Sequence, residues 1–108
     1  MSGLYFPFER LDAFRLALSV NRWIRSQTWP RGCAHLRDQA VRAADSMTLN
    51  IAEGACRGGP AALNHFRIAR GSAGEAAAAL MVHDLPEATT RIHELRRVAA
   101  MLSKLRAP

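Results

Sequence analysis

The groups in this 108-residue chain that could attack, transfer a proton or hold a metal are two cysteines, four histidines and nine carboxylates. Di-iron helical bundles need Glu-x-x-His motifs projecting inward from two helices. The sequence has no Glu-x-x-His, and His35, His65, His83 and His93 share no ligand spacing on one helix. No metal site and no cofactor is expected. Cys33 and Cys56 have neither the density of a disulfide-stapled chain nor the spacing of a zinc site. They read as reduced, partly buried thiols. Either could meet a histidine in space, but nothing in the sequence activates one. No Gly-x-x-x-x-Gly-Lys loop cradles a phosphate. Glu53 and Glu75 could form a carboxylate pair, yet Arg57 and Arg42 are better placed as ion-pair partners. No catalytic residue is expected, and the chain reads as non-enzymatic.

Charge is the broader signal. Lys plus Arg is 15 and Asp plus Glu is 9, a net +6, and the pI is near 11.0. Such a balance suits a polyanionic partner, RNA or DNA. All the basic residues but Lys104 are arginine, and they are scattered along the chain. The candidate nucleic-acid contacts are Arg15, Arg22 and Arg25 on a first helix, Arg67 and Arg70 on a third, and Arg96 and Arg97 on a fourth. Tyr5, Phe6, Phe8, Trp23 and Trp29 suit core packing or a subunit contact better than base stacking. The start of the chain lacks a signal-peptide pattern, and no apolar run is long enough to span a membrane. A cytoplasmic location without membrane association is expected.

The composition, 49% apolar and 22% charged, allows one folded domain over residues 1–108. Four segments show helical periodicity and none shows strand alternation. The first runs from about Phe8 to Thr28, with Leu11, Phe14, Ala17, Leu18, Val20 and Ile24 on one face. The second runs from about Ala34 to Arg57 on Leu36, Ala40, Ala43, Met47 and Ile51, and Gly58-Gly59 stops it. Pro60 opens the third, where its missing N–H costs nothing. It continues to about His83, with Leu63, Phe66, Ala69, Ala73, Ala76 and Leu80 as one stripe and Ile68, Ala79 and Val82 widening it. After Asp84-Leu85-Pro86 the fourth runs from about Glu87 to Leu105 on Ile92, Leu95, Val98, Ala99, Leu102 and Leu105. Short connections make antiparallel neighbours, so the expected fold is all-α, an up-down-up-down four-helix bundle.

One region is unusually polar for a helix interior. Gln39, Arg42, Ser46, Asn50, Glu53 and Arg57 recur at spacings of three and four beside the second apolar stripe. Ser and Asn are indifferent helix formers at such positions. The third helix carries Gly71-Ser72-Ala73-Gly74-Glu75 in its middle, where each glycine costs about 1 kcal/mol relative to alanine. Two glycines in one turn suggest that another backbone comes close. In a hairpin about Gly58-Gly59, residues whose numbers sum to about 117 lie opposite. Ser46 then faces Gly71, Ala43 faces Gly74, and Arg42 faces Glu75 as an ion pair.

The run Gln39 … Arg42-Ala43 … Ser46 … Asn50-Ile51-Ala52-Glu53-Gly54 … Arg57 resembles the signature of the small four-helix bundle proteins known as 23S ribosomal RNA intervening-sequence proteins. The likeness continues through Phe66 … Ile68-Ala69-Arg70-Gly71-Ser72 … Glu75, and more loosely to both ends of the chain. The resemblance implies an antiparallel four-helix bundle and a ring-like homopentamer with a central channel. A similar pentameric bundle, the accessory protein of diversity-generating retroelements, works with a reverse transcriptase and binds nucleic acid through a basic surface. The implied partners are therefore further copies of the chain, RNA or DNA, or another protein. Pro60, the alanine-rich stretch from Gly74 to Ala79 and the aromatic lead depart from the family pattern.

Overall fold

The first long helix begins four residues later than its apolar spacing predicts, and Pro7 explains why. In the computed structural model, which describes residues 2–105, Pro7–Arg10 form a 3-10 turn, following a shorter one at Ser2–Leu4. The Phe6 N–H donates to the Glu9 carboxylate at 2.6 Å, closing the turn. Leu11 is extended (φ −80°, ψ 125°) and separates the turn from α1, Asp12–Ser26. Phe8 stacks on Phe6 and meets Phe14 at a tilt, with ring centroids 5.5 and 4.6 Å away. Its turn packs against the bundle instead of extending the helix.

The remaining helices are α2, Ala34–Arg57; α3, Gly59–His83; and α4, Ala88–Lys104. Gly58 and Gly59 have φ of +65° and +61°, a left-handed geometry that favours glycine and reverses the chain in two residues. Pro60 lies in the first turn of α3, as its lack of an N–H allows. The α3–α4 turn instead uses Asp84 and Glu87 in the left-handed region, anchored by the buried Leu85. Among the described residues no strand occurs.

Packing joins α1 to α2, α2 to α3, α3 to α4 and α4 back to α1, and none crosses a diagonal. That is the closed, sequential order of an up-down-up-down bundle. One core runs through all four helices. Its largest fully buried side chains are Ile24, Met47, Ile51, Leu80, Leu95, Val20 and Val98. Much of the rest is alanine, including Ala40, Ala43, Ala44, Ala69, Ala73 and Ala76. Small side chains let helices approach closely, and on α3 they supply most of the buried face. Leu63, Ile68 and Val82, expected in the stripe, are exposed, Val82 at 71%. The rest of the expected stripe, Phe66, Ala69, Ala73, Ala76 and Leu80, is buried, as is Ala79, and Ala62, Ser72 and Ala77 complete the α3 interior. No described helix is long and apolar enough to cross a membrane.

Candidate functional site

The polar residues of α2 meet α3 along a hydrogen-bonded seam. The Asn50 amide donates to the Ser46 carbonyl at 2.8 Å and to the Ser46 hydroxyl at 3.3 Å. With its NH2 so committed, its oxygen faces His65, whose Nδ1 lies 2.9 Å away and must therefore carry the proton. Ser72 donates to the Ser46 hydroxyl at 2.8 Å. Ser46, Asn50 and Ser72 thus each have a partner, which removes the cost of placing them there. Chemically the seam is quiet. The histidine hydrogen-bonds an amide, and the serine hydroxyl is already shared by two donors.

The hairpin register follows the expected sum. Ser46 meets Ser72, Asn50 meets His65, and Gly54 meets Ala62 and Phe66. Two expectations built on that register fail. Gly71 and Gly74 have open space where a Cβ would project, so no backbone among the described residues requires them to be glycine. The close approach occurs at Gly54 instead, where a Cβ would sit 2.8 Å from the Phe66 ring and 3.1 Å from the Ala62 carbonyl oxygen. Arg42 and Glu75 line one open groove with Leu36, Gln39, Ala43, Ser46, Ser72, Ala78, Ala79 and Val82. Among the described residues no ion pair joins them. Both are exposed, and water solvates them as well as a partner would. Glu53 does pair within its own helix, accepting from Arg57 Nε at 2.5 Å. The bonded Arg57 guanidinium holds the Glu53 carboxyl below its ordinary range, and the nearby His65 adds a smaller push in the same direction.

The basic candidates divide by helix face. Arg25 is engaged: one of its terminal nitrogens lies 2.6 and 2.7 Å from the two Asp45 oxygens, and its Nε donates to Asn21 at 3.1 Å. The buried Asn21 in turn donates to Asp45 and to the buried Thr48. Arg25 thus clamps α1 to α2 and is removed from the free basic surface. Its periodicity could place it on a face, but the partner lies 20 residues away in sequence. Arg15 is held by the Glu9 carbonyl at 2.9 Å and shares a groove between α1 and α4 with Arg97, Asp12, Leu16, Ser19 and Met101. Arg22 lies two turns further along the same face of α1. Arg67 and Arg70 line the other flank of α4 beside Leu102 and Ser103, with Arg70 donating to Ser103 at 3.0 Å. Arg96 and Arg97 are exposed on α4. Arg22, Arg67, Arg96 and Arg97 have no ion-pair partner among the described residues.

The charge asymmetry follows from this placement. Helix α4 carries four basic residues against the single Glu94, which Arg91 holds at 2.7 Å. Helix α2 carries three basic against three acidic residues. The side of the bundle centred on α4, with α1 and α3 flanking it, is therefore the electropositive one.

The hairpin register also brings a thiol to an imidazole. Cys33, before α2, meets His83, at the end of α3, with Sγ and Nδ1 3.5 Å apart. Their numbers sum to within one of the expected value, so the spacing holds the signal, although neither residue stands out as a member of a pair. The Trp29 ring stacks on His83 at 5.2 Å. Both cysteines are free, Cys33 half-buried and Cys56 exposed. Among the described residues no group of three or more metal-ligating side chains assembles.

Four sequentially packed helices, a satisfied polar seam between α2 and α3 and a basic side around α4 define a small all-α bundle. Residues 10–104 match the model of the family described as 23S rRNA-intervening sequence protein, and the chain belongs to that family. No curated protein matches the chain.

Proposed function

We propose that the chain acts by binding and not by turnover. In this reading it is a cytoplasmic subunit that assembles with copies of itself into a ring-like homopentamer and holds RNA or DNA against the α4 side. The observation that carries the reading is the set of unpaired arginines there, Arg22, Arg67, Arg96 and Arg97, with Arg15 beside them. Arginines without acidic partners remain available to phosphate, and in a ring their fields add. Self-assembly is supported by the exposed Leu49, Met81 and Val82, at 67%, 52% and 71%.

The test is binding of nuclease-treated protein to structured RNA and to duplex DNA between about 50 and 300 mM salt, where counterion release sets the slope. Binding that persists near 150 mM is expected. Replacing Arg15, Arg22, Arg96 and Arg97 by Gln should weaken it and reduce the logarithmic salt slope by about one for every phosphate left unneutralised. Arg25→Gln should instead lower stability without that change in slope. No binding by the unmodified protein at any salt would overturn the nucleic-acid role. The exposed apolar residues would then favour a second reading, a scaffold for another protein.

A further inference from the structure

The two cysteines sit at opposite ends of one helix, and only one has a base beside it. Cys33 is the residue capping the start of α2. The unpaired N–H groups and the positive end of the helix dipole there favour negative charge. His83 is the last residue of α3, whose negative end favours positive charge. Moving a proton from sulfur to imidazole across the 3.5 Å between Sγ and Nδ1 therefore shifts charge in the direction that both helices favour. Trp29, stacked on the imidazole with 21° between the ring planes, holds the ring in place. Cys33 is half-buried and not sealed in the core. Leu36 and Val82, close by in sequence on the same two helices, line the groove between α2 and α3. Cys56 is the converse: it is exposed, hydrogen-bonds to no described group, and lies in the last turn of α2 with no histidine bonded to it.

We infer that Cys33 is a modifiable nucleophile, with His83 as its proton acceptor, and that its reactant class is the hydroperoxides. In the step the thiol proton passes to His83 Nδ1, and the sulfur lone pair attacks one peroxide oxygen. The O–O bond breaks, and the departing hydroxide takes the proton from the imidazolium as water. The product is a cysteine sulfenic acid. Sulfur is oxidised by two electrons and the peroxide is reduced.

The experiment exposes the reduced, full-length protein to hydrogen peroxide at neutral pH with dimedone present to trap sulfenic acid. Tryptic cleavage separates the two sites, Cys33 in residues 32–37 and Cys56 in residues 43–57. Exposure alone predicts that Cys56 reacts first. The dyad predicts the reverse, with Cys33 faster by about a hundredfold or more, the lower end of what positioned proton transfer contributes. His83→Gln should bring Cys33 to the rate of Cys56 or below it while leaving Cys56 unchanged, with a thermal melt confirming that the variant is folded. Cys33 reacting no faster than Cys56 in the unmodified protein would overturn the inference, and that comparison needs no variant. A Cys33 rate unaltered by His83→Gln would overturn it as well.

Discussion

The α2–α3 seam is two different contacts at its two ends. Near the glycine turn every group is matched: Gly54 admits the Phe66 ring, Asn50 and His65 bond, and Glu53 holds Arg57. Toward the other end the same register leaves an open groove of about 600 Å³ over Ala43, Ala78 and Ala79, with Arg42 and Glu75 on its walls and no bond between them. Register alone therefore does not make a contact. One end has an aromatic ring and a glycine of complementary shape. At the other end the residues facing one another are too small to fill the gap and too exposed for charge to draw them together.

The largest effect should come from disturbing the filled end. Gly54→Ala puts a methyl 2.8 Å from the Phe66 ring and 3.1 Å from a backbone oxygen. The oxygen cannot move without shifting α3. Overpacking of this kind costs about 1–3 kcal/mol, against a gain of about 1 kcal/mol in helix propensity. The net expectation is a lower midpoint in urea unfolding. An unchanged or raised midpoint would mean that Phe66 swings aside at little cost, and the two ends would then differ less than their geometry implies.

A smaller effect of opposite sign is expected from glycines on the outer face of the seam. Gly71→Ala and Gly74→Ala meet nothing, so each should raise stability by about 0.5–1 kcal/mol, measured in dilute protein by the same titration. A fall at either position would show that another backbone rests there. That backbone would come from outside the described residues, which supply none.

The architecture is legible in the sequence because it depends on local pattern. Apolar residues at spacings of three and four mark all four helices. Gly58-Gly59 and the Pro60 start place the α2–α3 turn, and the single register rule then brings Ser46 to within one residue of Ser72, its actual partner. What is not legible depends on size and distance. Glycine spacing alone cannot distinguish Gly54, which is pressed by a ring, from Gly71 and Gly74, which face open space. Arg25 lies on the same helix as Arg15 and Arg22, but its partner Asp45 is on another helix, and only packing brings them together. Phe8 looks like the first residue of a helix by polarity, yet Pro7 and the extended Leu11 put it in a turn. The basic side around α4 is half visible. Charge and periodicity single out its arginines, but which of them stay unpaired is a tertiary fact.

The smallest effects separate the two Arg–Glu pairs. Glu53 and Arg57 are four residues apart with the acid toward the N-terminus, the favourable order on a helix, and they are bonded. Arg42 and Glu75 are the pair that the register places across the seam. A double-mutant cycle replacing each member by Gln or Ala should give a measurable favourable coupling for the first pair. For the second the coupling should be within about 0.3 kcal/mol of zero. Acidity gives an independent check on the first. Folding lowers the Glu53 carboxyl, so below neutrality the unfolded chain takes up its proton first. The stabilisation is therefore complete above the ordinary carboxylate value and fades as pH falls through the lowered folded one. Glu53→Gln should flatten that part of the stability–pH curve, whereas Glu75→Gln should leave it in place. A coupling across the groove as large as the one within α2 would mean that the groove closes in solution, and the contrast between the two ends of the seam would disappear.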